Sequence, residues 1–191
     1  MKAVLISIQP KWCELIASGK KTVEVRKTKP KLETPFKCYI YETKDKHFAN
    51  MGYCWGDKKF FEHAIGKVIG EFVCDKVENI FSQSRFWLNE DILKVSCLSR
   101  EEIWRYSSGA EKLYAWHISN LKIYDKPRAL SEFYAEGDCD CMNCKKCAWF
   151  DSGNGYNVEA DCNLAYKGVD LHKSFKPILR PPQSWCYVES K

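Results

Sequence analysis

A chain of 191 residues that is 45% hydrophobic and 14% aromatic has material for a sizeable core, which excludes wholesale disorder. No apolar run reaches the roughly 18 residues of a membrane-spanning helix, and the Met-Lys start leads straight into a strand pattern, so no membrane partner is expected and the expected location is the cytoplasm. The formal net charge of +5 is uneven: residues 1–31 hold eight basic side chains against Glu14 and Glu24, which leaves the remainder close to neutral.

In chain order, Met1 to Ile8 reads as a strand, Gln9-Pro10-Lys11-Trp12 as a turn, and Cys13 to Ser18 as a short helix closed by Gly19. From Thr22 the pattern alternates, with Thr22, Glu24 and Arg26 on one strand face and Val23 and Val25 on the other. Phe36 to Tyr41 is a third strand, and Lys44 to Glu62 is an insertion, either a lid or segment bearing exposed aromatics or, as favoured, a surface loop packed by Phe60 and Phe61. A long strand is predicted from Ile65 through Val77, bent at Gly66 and Gly70. Ser84 to Lys94 reads as helical, and Ser99-Arg100-Glu101-Glu102 is a capping box opening a helix to Tyr106 that Gly109 stops. Leu113 to Tyr124 is a strand with Tyr114, Trp116 and Ile118 on one face and Ala115 and His117 on the other, His117 being read as structural. Pro127 is expected to end that pattern, and Leu130 to Tyr134 to form a short helical turn.

The succession strand, Gln-Pro turn, helix, Gly-x-Lys-x-x-Glu-x-Arg, strand resembles the ASCH family, a branch of the PUA-like β-barrels. The motif residues are Gly19, Lys21, Glu24 and Arg26, and the strand at Leu113 to Tyr124 suits the end of such a barrel. The resemblance covers about residues 1–130. It implies an α+β fold, a PUA-like (ASCH) mixed β-barrel with peripheral helices, and says nothing direct about residues 131–191, which read from their own residues as a cysteine-rich elaboration and a C-terminal strand packed on the barrel. A monomer is expected.

The elaboration holds the run Cys139-x-Cys141-x2-Cys144-x2-Cys147, with Cys162, His172 and Cys186 beyond. Thiolates this close can converge on one tetrahedral ion, so a structural zinc knuckle from Cys141, Cys144, Cys147 and Cys162 is the leading reading. Cys139, His172 and Cys186 are alternates; free thiols, redox pairs and an iron–sulfur cluster are the competing readings. The tail from Phe175 to Val188 is extended by Pro181 and Pro182, and suits a terminal strand.

Two function classes compete. In the first, the resemblance implies RNA or nucleotide and nucleoside binding: Lys20, Lys21 and Arg26 meet phosphate, Glu24 completes the ionic face, and Trp12, Trp116 or Trp185 stacks a base. Gln183 and Ser184 are residue types that hydrogen-bond a base edge. In the second, the cleft is hydrolytic, as in small ASCH proteins that act on acylated cytidine or cut RNA, with Lys21 and Glu24 as catalytic residues. This chain has Glu24 where the amidohydrolase members have threonine, and Thr22 is the only hydroxyl of the motif. The acidic partner is sought among Glu90, Asp91, Glu101, Glu102 and Glu111. A protein-docking role for the cysteine-rich part is a third class.

Overall fold

Strand β1 (Lys2–Ile8) is apolar on both faces because it is central: it pairs in parallel with β3 (Phe36–Glu42) on one side and antiparallel with β8 (Trp185–Glu189) on the other. Val4, Ile6 and Ile8 enter one core cluster, Ala3 and Leu5 another. The computed structural model describes residues 2–44, 65–82, 90–138 and 173–189. Most of the predicted insertion Lys44 to Glu62 therefore lies outside the described residues.

Helix α1 (Pro10–Ala17) starts earlier than the predicted Cys13, because Gln9 is the N-cap and Pro10 the first helical residue. A proline there has no amide hydrogen to leave unpaired and its φ is already helical, so the Gln-Pro pair opens the helix instead of forming a separate turn. Ser18 is the C-cap, and Gly19 takes the left-handed φ of +72° just beyond it. The amides of Gly19 and Lys21 turn back to the carbonyls of Ile16 and Leu15, both at 2.9 Å.

Strand β2 (Val23–Arg26) pairs antiparallel with β5 (Lys112–Arg128), and β4 (Val68–Ser82) lies between β5 and β3. The long strand predicted from Ile65 through Val77 is shifted. Gly66 sits in a turn, where its amide bonds Glu42 O at 2.9 Å, while the strand itself starts at Val68 and runs to Ser82. β5 passes through Pro127 to Arg128, which pairs with Val68. At Gly70 a side-chain carbon would stand 2.5 Å from Lys122 O, so only glycine admits this approach of β4 and β5.

Helices α2 (Glu90–Ser96) and α3 (Arg100–Ser107) cover the Val23 and Val25 face of β2 through Ile92 and Ile103. The predicted capping box is present: Glu102 N donates to Ser99 Oγ at 3.1 Å and Ser99 N to Glu102 Oε2 at 2.8 Å. A 3-10 turn at Leu130–Glu132 leads into β6 (Tyr134–Asp138), which pairs with β7 (Lys173–Pro177) in a separate two-stranded sheet. β6 was not expected, because its residues Tyr134-Ala135-Glu136-Gly137-Asp138 lack the branched and apolar alternation of a core strand.

The main sheet thus runs β2-β5-β4-β3-β1-β8, a mixed six-stranded sheet. Among the described residues no backbone ladder joins its edges, β2 and β8. Side chains bridge them instead: Arg26 Nη1 reaches Ser184 Oγ at 3.5 Å, Trp185 Nε1 donates to Thr28 Oγ1 at 2.9 Å, and Lys31 N donates to Tyr187 Oη at 2.6 Å. No helix among the described residues is long and apolar enough to cross a membrane.

Candidate functional site

At the seam between the sheet edges lies a cleft of about 530 Å³. Its wall is drawn from β1 and the turn after it (Ser7, Gln9), α1 (Trp12), the motif (Lys21, Glu24, Val25, Arg26), Thr43 after β3, Leu98, α3 (Glu102, Arg105, Tyr106) and the segment before β8 (Gln183, Ser184).

The motif forms the floor as a buried ionic triad. Lys21, Glu24 and Arg26 are 2%, 6% and 8% exposed, so the face expected from alternation exists but is turned inward, away from solvent. Glu24 lies between the cations: Oε2 is 3.3 Å from Lys21 Nζ and Oε1 is 3.0 Å from Arg26 Nη2. Lys21 Nζ also donates to Ser96 O at 2.7 Å, and Arg26 Nη2 to Ser7 O at 2.5 Å. These carbonyls come from the end of α2 and from β1, so the triad ties three parts of the fold together. Charges this deep are tolerated only when paired and hydrogen-bonded, and the geometry meets that condition.

Strand alternation alone does not bring Lys21 to Glu24. Lys21 and Thr22 both precede β2, so the pleat fixes neither: the Lys21 amide is held by Leu15 O and the Thr22 amide by Val95 O, and Thr22 is exposed instead of sharing the buried face of Glu24 and Arg26 as alternation predicts. Thr22 is exposed and does not line the cleft; the hydroxyls that do are Ser7, Thr43, Tyr106 and Ser184. Of the five acidic residues considered as partners, Glu102 alone lines it. Backbone donation from Ser99 leads the interactions that hold its carboxyl below the usual range, with Lys11 3.4 Å away adding to them. Glu101 and Glu90 instead pair with Arg105 and Arg100 on the surface.

Trp12 stands in the wall, with the ammonium groups of Lys11 and Lys21 at 4.3 and 5.1 Å from its ring. Trp116 is fully buried, its ring 5.8 Å from Phe36 and 6.0 Å from Trp185. Trp185 is packed between Trp116 and Tyr187, and its indole N–H is engaged by Thr28. Neither lines the cleft, nor does the exposed Lys20. His117 bonds Glu78 Oε1 at 2.6 Å on the sheet, as a structural histidine would.

Two further groups bear on the chemistry. Cys13 does not present a thiolate, since burial first, then the negative charges of Glu42 and Glu24, push its thiol well up while Arg26 only partly offsets them. Glu42 is 2% exposed, and burial pushes its carboxyl up to about 7. The Oε2 of Glu42 and the Nε of Arg26 have no hydrogen-bond partner among the described residues. The site is therefore an electrostatic clamp: both oxygens of Glu24 are held, and a base would have to release one of them.

The predicted zinc ligands Cys141, Cys144, Cys147 and Cys162, and the alternates Cys139 and His172, lie outside the described residues. Among the described residues no group of three or more His, Cys, Asp or Glu side chains is placed to hold a metal. Cys186 is in β8, its thiol pushed up to about 11 by burial.

Ser7, Thr43, Arg105 and Tyr106 were not anticipated. Ser7 had one signal, a lone hydroxyl in the apolar run from Ala3 to Ile8; the others had none.

A mixed six-stranded β-sheet whose edge strands are linked by side chains beside a buried Lys-Glu-Arg triad, with short helices packed on it, defines a class: a small α+β domain with a cleft floored by paired charges. The ASCH domain model matches residues 6–128, and the chain belongs to the ASCH family. Among solved structures, a serine-to-alanine variant of the ASCH protein from Zymomonas mobilis aligns with a TM-score of 0.54 at 18% identity, over 98% of this chain and 88% of that one. A tyrosine-to-phenylalanine variant of the same protein aligns with a TM-score of 0.49 at 22% identity, over 68% and 77%. The first likeness supports the fold. Among proteins with curated descriptions none matches this chain.

Proposed function

We propose that the cleft binds one nucleotide unit, either of an RNA strand or of a free nucleotide or modified nucleoside. The observation that carries this reading is the charge count on the floor: two buried cations share a single carboxylate, which leaves one positive charge in excess in a confined, partly desolvated space. A singly charged phosphodiester complements that excess, and its attraction is strengthened by the low local dielectric. The rim adds little charge, because Glu102 faces Lys11 and Arg105 faces Glu101.

The remaining walls suit a nucleoside. Trp12 supplies an aromatic face, and stacking on such a face contributes about 1–3 kcal/mol per base. Gln183 and Ser184 bring donors and acceptors to the same cleft, as the edge of a base or a ribose requires. The grouping of ASCH domains with PUA-like, generally RNA-binding folds points the same way.

Because Trp12 lines the cleft, its fluorescence reports occupancy. Titration with nucleoside monophosphates and short RNA at two salt concentrations should quench it, more weakly at high salt. Arg26→Gln, checked for folding by circular dichroism, should weaken nucleotide binding by roughly tenfold or more, the loss expected for a charge-assisted hydrogen bond. Absence of any quench or of any RNA shift at low salt would remove the proposal.

A further inference from the structure

Just beyond Arg26 the chain runs through Lys27-Thr28-Lys29-Pro30-Lys31 across the seam between β2 and β8. All three lysines are exposed. Lys27 Nζ stands 5.4 Å from the ring of Tyr106, itself part of the cleft wall, and Lys29 Nζ stands 5.7 Å from the ring of Tyr114. At the far end, Lys31 N is tied to Tyr187 Oη at 2.6 Å. A row of cations underlain by tyrosines therefore begins at the cleft and leads away from it.

What sets these lysines apart is their clustering at the cleft, not the absence of a carboxylate alone, which Lys112 and Lys126 share among the described residues. Lys11, Lys37, Lys76 and Arg105 each pair with a carboxylate. Among the described residues no carboxylate pairs with Lys27, Lys29 or Lys31, and no acidic residue occurs between Arg26 and Lys31. Three lysines at alternate positions without a carboxylate between them repel one another at close range, and a bound polyanion relieves that repulsion while releasing its own counterions. The tyrosine rings favour a polyanion that also carries flat bases over an acidic peptide. A cleft that encloses one nucleotide demands that this unit be unstacked, which a single strand permits without breaking pairs.

We propose that residues 27–31 form a second subsite, a track for the nucleotides flanking the one in the cleft, so that the ligand is a single-stranded polynucleotide spanning both. The inference rests on the cleft being a nucleotide site, and the experiment separates the two.

Binding of uridine monophosphate and of oligouridylates of increasing length to the full chain is measured by tryptophan fluorescence and anisotropy. Affinity should rise about tenfold or more from the monophosphate to an octamer as the track fills. The triple variant Lys27→Gln, Lys29→Gln, Lys31→Gln should abolish that gain and keep the monophosphate affinity within about twofold. The salt dependence of octamer binding should drop by about 2 in log–log slope, since each phosphate contact on a single strand contributes about 0.7. A control variant that removes Lys76, Lys112 and Lys126 should keep the gain.

No gain with length, a gain that survives the triple variant, or an equal loss in the control would overturn the track. Equal binding of inorganic polyphosphate would overturn its assignment to a polynucleotide. An octamer that binds through the lysines while the monophosphate does not bind would support the track and overturn the cleft reading.

Discussion

Glu24 is the residue on which the site depends, because it is the shared counter-ion of two buried cations. Glu24→Gln leaves both without their partner, and removal of one member of a buried pair is worth about 3 kcal/mol or more. The urea midpoint should fall accordingly. Lys21→Met should lose less, since Glu24 keeps Arg26, and the ordering of the two variants checks the geometry. Glu42 makes a prediction of opposite sign. Burial pushes its carboxyl from the ordinary 4.5 up to about 7, so the native state holds the proton more tightly than the unfolded chain. Its stabilising contribution is full below about pH 4.5 and is lost as pH rises through about 7. Glu42→Gln should therefore flatten the pH dependence of stability, raising the thermal midpoint at pH 8 and leaving it nearly unchanged at pH 5.

Among the elements, the capping box and the β4–β5 contact carry the clearest consequences. Ser99→Ala removes the acceptor for Glu102 N at the start of α3, a loss of about 1 kcal/mol in denaturant unfolding. The same change frees a cleft-wall carboxylate from its cap, so nucleotide affinity should fall slightly alongside stability. Gly70→Ala is expected to be more damaging, because the new carbon would meet backbone at 2.5 Å and 3.1 Å and neither atom can step aside without moving β5. Overpacking of this kind costs about 1–3 kcal/mol. The cap was readable locally, since Ser-x-x-Glu announces it; a glycine within a strand announces only a bend or bulge, and the close approach of β5 at Gly70 is decided by the fold. The alternation of β5 was equally readable, and Tyr114, Trp116 and Ile118 do share one core cluster while Ala115 joins the other. Boundaries were not, since Pro10 opens a helix and Pro127 lies inside a strand, positions that depend on which amides have partners.

For the whole molecule, the sequence by itself determined the Gly19 to Arg26 motif, its strand-and-helix setting and the family, because these are written in local periodicity and spacing. It also singled out Trp12, Lys21, Glu24 and Arg26, which line one cleft in the fold. Only the tertiary structure decided that the motif's charges are buried, and that Ser7, Glu102, Tyr106 and Ser184 stand around them. The reason is the sheet order: β1 lies next to β8, and the seam brings β8 against β2, so residues more than 150 positions apart share one wall, as Arg26 and Ser184 do at 3.5 Å. The same order explains Trp116 and Trp185, whose residue type suits a base but whose strands bury the first in the core and pack the half-buried second against it, 6.0 Å away. No local pattern distinguishes a tryptophan that faces a cleft from one that fills a core, because both are apolar and the difference is made by which distant strand arrives opposite.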